Sequence, residues 1–210
     1  MGFDPIADRL DWIVVYPDGA QGRWEGPDEV AFISDLIDAA SSAYRIDPAR
    51  VYATGYSDGA IFAYRLAAAL PGRLAAIAPV AGLLEGDVRP EAPLSILHIH
   101  ALDDGGVPYA GDAAYGLLSA EASLGRWMGV CGASDPPLRF SPRPGIDARL
   151  WEGKGADLAI LAYDSGGHGW LPLASDFIGD FFYNHPPRPM CLRVAGEVLP
   201  TVVAEYAPWP

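Results

Sequence analysis

The first apolar signal along the chain is Ile13-Val14-Val15-Tyr16, a short run closed by Pro17-Asp18-Gly19, which predicts a strand ending in a turn. From Pro27 to Tyr44 the period changes. Val30, Ile33, Ile37, Ala40 and Tyr44 fall at three- and four-residue spacings, and Pro27 suits the first helical position, so a helix is expected. A loop at Ile46-Asp47-Pro48 leads into the strand-like run Val51-Tyr52-Ala53-Thr54. After Ser57 comes Gly59–Leu70, dense in Ala and Leu and stopped by Pro71-Gly72, which predicts a second helix. Leu94–His100 and Leu158–Tyr163 read as buried strands. Ser175 can then cap a short aromatic helix through Phe177, Ile178, Phe181 and Phe182.

Strands that alternate with helices imply an α/β protein whose mostly parallel central sheet carries helices on both faces. Gly132–Gly145, rich in Pro and Gly, is expected to be a long loop or cap element. No internal repeat or domain linker interrupts the pattern, and 210 residues fit one domain with a sizeable core.

Composition narrows the partners. Half the residues are hydrophobic and a fifth are charged, an ordinary balance for a globular protein. The net charge of −13 repels phosphate backbones and anionic lipid surfaces, so neither nucleic acid nor membrane is expected as a partner. Apolar runs such as Leu66–Leu70 and Leu74–Val80 are too short to span a bilayer. No basic segment followed by an apolar one opens the chain as a leader would, which leaves location open between cytoplasmic and, if the complete gene encodes a signal peptide, secreted. Cys131 and Cys191 make neither a disulfide framework nor a zinc cage; one bridge and two separate thiols both remain open.

The chemistry begins at Gly55-Tyr56-Ser57-Asp58-Gly59, a G-x-S-x-G between a predicted strand and a predicted helix. Glycines there remove side chains that would clash at a sharp turn, leaving the serine hydroxyl exposed above the sheet. The helix that follows aims its N-terminus and the Asp58 amide at any negative charge formed beside Ser57. A serine needs a base to take its proton and a carboxylate to orient that base. In chain order, Asp104 follows the Leu94–His100 strand, and His168 follows the Leu158–Tyr163 strand in Ser165-Gly166-Gly167-His168-Gly169-Trp170. Strand C-termini of a parallel sheet open on one edge, so three distant segments converge on one place.

Rivals exist for each role. Asp103 adjoins Asp104, and one of the two reads as a solvated loop carboxylate. His98 and His100, two apart on one strand face, read as satisfied core or strand-end histidines. His185 at a helix C-terminus complements the helix dipole. Trp24, Trp170 and Tyr56 either line a substrate cleft or pack their loops, and Tyr109 reads as structural. No cluster has metal-ligand spacing, and no cofactor or metal is expected.

Together these segments resemble the polyhydroxybutyrate depolymerase-like and feruloyl/acetyl-xylan esterase group of the α/β-hydrolases. The resemblance is carried by Val14-Val15-Tyr16-Pro17-Asp18-Gly19, Asp28-Glu29-Val30-Ala31-Phe32-Ile33, and Ile46-Asp47-Pro48-Ala49-Arg50-Val51-Tyr52-Ala53-Thr54-Gly55. The Ser57 elbow with Ala63-Tyr64-Arg65-Leu66-Ala67, then Asp104-Gly105-Gly106-Val107-Pro108-Tyr109 and Gly167-His168-Gly169-Trp170, complete it. It covers most of residues 3–185. It implies an α/β-hydrolase fold and cofactor-free hydrolysis of carboxylic esters by Ser57, Asp104 and His168, with the Asp58 amide as oxyanion donor. The implied substrates are polyester oligomers, feruloyl or acetyl esters, or short acyl esters.

One departure is serious. Members of the group carry a further strand upstream, between those matching Ile13–Tyr16 and Val51–Thr54, whose His-Gly type loop gives a second oxyanion donor. This sequence starts after it. The expectation is therefore an N-terminally incomplete catalytic domain over residues 1–188, with a tail over 189–210 of unknown role. Thr201-Val202-Val203-Ala204-Glu205-Tyr206 is an alternative filler of the vacant slot, and a partner chain, including a second copy, that covers the exposed sheet edges is a third reading. Two competing functions follow: a catalytically impaired scaffold acting as a binding protein, and, ranked last, a peptidase.

Overall fold

A computed structural model describes residues 2–185. Its elements in chain order are α1 (Asp4–Leu10), α2 (Pro27–Ala43), β1 (Tyr52–Tyr56), α3 (Asp58–Ala69), β2 (Ala76–Val80) and β3 (Ser95–Ala101). There follow α4 (Ala120–Cys131), β4 (Leu138–Phe140), β5 (Ile146–Trp151), β6 (Leu158–Tyr163) and α5 (Ala174–Asn184). The strands form one sheet in the order β1-β2-β3-β6-β5-β4. The first four in that order pair in parallel, and β5 and β4 add an antiparallel edge.

The apolar content of each strand follows from its position. Every residue of β2, β3 and β6 is buried, as expected for strands covered on both faces. On one face Phe177, Ile178, Phe181 and Phe182 of α5 pack with Phe3 and Ile6 against Leu97, Ile99 and Leu161. On the other, Phe62, Tyr64 and Leu66 of α3 and Leu124 and Trp127 of α4 pack against Ile77, Ile96 and Ile160. This is the α/β-hydrolase fold, with helices on both faces of a mostly parallel sheet.

Several expectations are corrected. Ile13–Tyr16 is not a strand. Trp12 and Val14 turn toward the core while Ile13 and Val15 stay about half exposed, so the alternation survives, but among the described residues the run has no ladder partner. A strand's backbone groups need such a partner, and β1 is the terminal strand of the sheet on that side. The Gly132–Gly145 stretch contains β4, held by β5. Ser175 does not cap α5; Leu173, in the left-handed conformation, occupies that position, and the Ser175 hydroxyl instead accepts from Trp170 Nε1 at 3.0 Å. Cys131 is a buried free thiol that meets the Leu94 carbonyl at 3.6 Å. Cys191, the 189–210 tail and the Thr201–Tyr206 run lie outside the described residues. Among the described residues no helix is long and apolar enough to cross a membrane.

Candidate active site

Ser57 sits between β1 and α3 with φ 56° and ψ −117°, a backbone conformation that costs a residue with a side chain about 1–3 kcal/mol. The surroundings hold it there. Its amide donates to the Val80 carbonyl at 3.0 Å, and its own carbonyl accepts from the amides of Ala60 and Ile61. The two elbow glycines contribute unequally. A Cβ on Gly55 would lie 2.3 Å from the backbone carbonyl of Gly59, so β1 and α3 can meet this closely only because Gly55 lacks one. On Gly59 a Cβ would meet nothing nearer than Trp24 Nε1 at 3.9 Å.

Ser57 Oγ lies 2.8 Å from Nε2 of His168, and His168 Nδ1 lies 3.1 and 3.0 Å from the two oxygens of Asp104. Of the chain's four histidines, His168 is the one in contact with Ser57. An ionised carboxylate only accepts, so Nδ1 carries the proton and Nε2 presents its lone pair to the serine hydroxyl. Asp104 is nearly enclosed, and its Oδ1 also accepts from the amides of Gly106 and Val107 at 2.8 Å each. Burial works to raise its pKa; the His168 hydrogen bond and the Val107 and Gly106 amides outweigh it and hold the carboxyl below its ordinary value.

Asp103 is more than the solvated carboxylate expected of it. Its Oδ1 accepts from the amides of Gly166 and Gly167 at 2.8 Å each, pinning the loop that carries His168. No local pattern announces this, because the partners are far away in sequence. Gly106 was likewise missed: its bare Cα lets the His168 ring pass, and a Cβ there would lie 2.6 Å from His168 Cγ.

The aromatic candidates are all partly buried. Tyr56 donates its hydroxyl to the His168 carbonyl at 3.0 Å, and its ring lies 5.0 Å from the imidazole. Trp24 stacks on Phe62 at 4.8 Å, and its amide donates to Asp58 Oδ2 at 2.9 Å, tying the Trp24 loop to the start of α3. Trp170 meets Phe3 edge-on at 5.9 Å. His98 and His100 are wholly buried on β3. His185 ends α5 with Nδ1 2.8 Å from the Phe181 carbonyl, the helix-end role expected of it, and its Nε2 lies 3.3 Å from Asp157.

No protein-family model matches the chain. A bifunctional acetylxylan esterase/xylanase from Neocallimastix patriciarum is 33% identical over 107 residues, covering 49% of this chain and 16% of that protein. Feruloyl esterase B from Piromyces equi is 28% identical over 196 residues, covering 80% of this chain and 36% of its own length. Feruloyl esterase C from Emericella nidulans is 28% identical over 179 residues, covering 81% of this chain and 64% of its own. The chain thus spans less than two thirds of each of these relatives. Among solved structures, an acetyl xylan esterase from Aspergillus awamori superposes with a TM-score of 0.65 at 18% identity, covering 86% of this chain and 81% of that one. A Bacillus cereus carboxylesterase follows with 0.53 at 13% identity, covering 86% and 80%. At these identities the structural likeness speaks for the fold alone.

Proposed function

We propose that the chain is a member of the feruloyl/acetyl-xylan esterase group of α/β-hydrolases, a reading supported by its likeness to esterases of that group, and that it hydrolyses carboxylic esters through an acyl-enzyme formed on Ser57. The observation that carries this reading is the unbroken contact from the Ser57 hydroxyl through the His168 imidazole to the Asp104 carboxylate.

Ser57 Oγ attacks the ester carbonyl while His168 Nε2 takes its proton, and Asp104 stabilises the resulting imidazolium without itself becoming protonated. The Asp58 amide, at the start of α3, is the proposed donor to the oxyanion, assisted by the helix dipole. His168 then returns the proton to the leaving alcohol. Water repeats the sequence and frees the acid. No step calls for a cofactor. The partly exposed faces of Tyr56, Trp24 and Trp170 support a role in lining the acyl or alcohol side of the cleft. The substrate class proposed is acetyl, feruloyl or short acyl esters, on the analogy of the relatives' names. The scaffold alternative gains nothing from those relatives, since all three are named as esterases.

The purified chain is expected to release p-nitrophenol from p-nitrophenyl acetate and ferulate from methyl ferulate or a feruloylated oligosaccharide. Ser57→Ala should drop both rates to background with an unchanged thermal midpoint. Undiminished hydrolysis by that variant would rule out the mechanism.

A further inference from the structure

Behind Asp104, on the side away from His168, lies a buried polar chain that the reaction above does not use. His98 and His100 stand on the α3–α4 face of β3, both with no exposed surface. Tyr64 of α3, also wholly buried, brings its hydroxyl 2.8 Å from His98 Nδ1. His98 Nε2 is 3.1 Å from His100 Nδ1. His100 Nε2 lies 2.8 Å from the Val107 carbonyl and 3.2 Å from Asp104 Oδ2.

Hydrogen-bond rules leave one proton arrangement for this chain. A carbonyl and an ionised carboxylate only accept, so His100 Nε2 must carry a proton. If His100 is neutral, its Nδ1 is an acceptor, and His98 Nε2 must be the donor to it. His98 Nδ1 is then an acceptor too, and the Tyr64 hydroxyl, which can rotate to donate, satisfies it. Burial drives the pKa of both imidazoles down, His98 well below the ordinary histidine value, which fits the neutral forms. Every proton in the series therefore points toward Asp104.

We propose that Tyr64, His98 and His100 are positioning residues for the ester-hydrolysis reaction: the series holds His100 in the tautomer whose Nε2–H, donated to the Val107 carbonyl, also stands 3.2 Å from Asp104 Oδ2. This rests on the triad proposed above. Oδ1 accepts from two amides and Oδ2 stands against the His100 Nε2–H, so turning the carboxylate plane that faces His168 would break both sets of contacts. The positive end of the Nε2–H dipole beside Oδ2 also draws part of the carboxylate charge away from His168. The other charged or titratable groups around the chain are Tyr109, whose ring meets His100 edge-on at 5.6 Å, Glu121 of α4, bonded to Tyr109, and Arg149 of β5, bonded to both. They remain in place in every variant below.

The test combines steady-state kinetics with proton NMR titration of the His168 imidazole in the full chain. His100→Phe keeps the ring volume and removes the donor, His100→Gln retains an N–H at the position of Nε2, and Tyr64→Phe removes only the terminal hydroxyl. Loss of the donor concentrates the Asp104 charge on His168, so the pKa of His168 should rise in His100→Phe, and less so in Tyr64→Phe. His100→Phe should lower kcat by about 10- to 100-fold at nearly constant KM, with His100→Gln restoring most of the rate and pKa. A His168 pKa identical to wild type in His100→Phe, or His100→Gln behaving like His100→Phe, overturns the proposal. If His100→Phe does not fold, Tyr64→Phe decides alone, and wild-type kcat and His168 pKa in that variant overturn it. A wild-type chain that turns over no ester would count against the hydrolase reading, whereas the His168 titration would still judge the hydrogen-bond chain.

Discussion

Gly106→Ala places one methyl group against the His168 imidazole. Its Cβ would lie 2.6 Å from His168 Cγ, 2.8 Å from Cδ2 and 3.0 Å from Cβ. Carbon atoms settle at about 3.5–4.0 Å, so the ring or its loop has to retreat by about 1 Å. His168 Nε2 now stands 2.8 Å from Ser57 Oγ, and a retreat of that size takes it out of good hydrogen-bonding range. A misplacement of about 1 Å costs on the order of 10²-fold in rate, or about 2.7 kcal/mol of transition-state stabilisation. Folding should be nearly unaffected, because Gly106 is exposed and has no left-handed φ that alanine would resist. Gly105→Ala is the internal control: it is the adjacent exposed position, and its Cβ would meet nothing within 4 Å. The assay is kcat and KM for p-nitrophenyl acetate together with the thermal midpoint of both variants. The reasoning is refuted if Gly106→Ala turns over within about twofold of wild type, or if the two alanine variants lose activity equally.

Asp103→Ala should lower kcat by about 3- to 10-fold, since two hydrogen bonds to a partly solvated carboxylate are lost; faster hydrogen exchange at the Gly166 and Gly167 amides is the accompanying sign, and unchanged exchange would count against the pinning role. Gly55→Ala should destabilise the fold by about 3 kcal/mol in urea denaturation, because its Cβ would collide with backbone rather than with a movable side chain. Burial, helped by His100 and Arg149, keeps the folded pKa of His98 well below its unfolded value, so the unfolded chain takes up that proton first and stability present above pH ~6.5 is lost as pH falls. Between pH 7.5 and 5.5 that histidine alone should cost about 1.4 kcal/mol. The comparison is the urea midpoint of wild type with that of His98→Gln, and an equal pH dependence in the two would be the adverse result.

The site was legible where its residues follow strands, and obscure where its geometry depends on distant partners. Ser57 announced itself by lying between an apolar run and an Ala-Leu-rich helix, and Asp104 and His168 by following two such runs; the folded chain brings the three side chains into contact. Asp103 could not be read as a loop pin, because only folding brings the Gly166 and Gly167 amides to it. Helix α4 was overlooked although its signals are local: Ser119 accepts from the Ala122 amide, and Leu124, Trp127 and Cys131 share a buried stripe. The antiparallel edge was hidden for a different reason. Arg149 breaks the apolar texture of β5, and its burial makes sense only once Glu121 and Tyr109 are seen bonded to it. Ile13–Tyr16 erred the opposite way, for an apolar run makes a strand only when another strand stands beside it.

The most direct test is covalent. A fluorophosphonate probe reacts with a serine hydroxyl only where a base and an oxyanion donor activate it. Intact-mass and peptide mapping after exposure should find one adduct, on Ser57, absent in Ser57→Ala and formed at least about 10²-fold more slowly in His168→Ala. A chain that stays unlabelled, or that carries the adduct on another residue, would contradict the proposal that Ser57, His168 and Asp104 work as one catalytic unit.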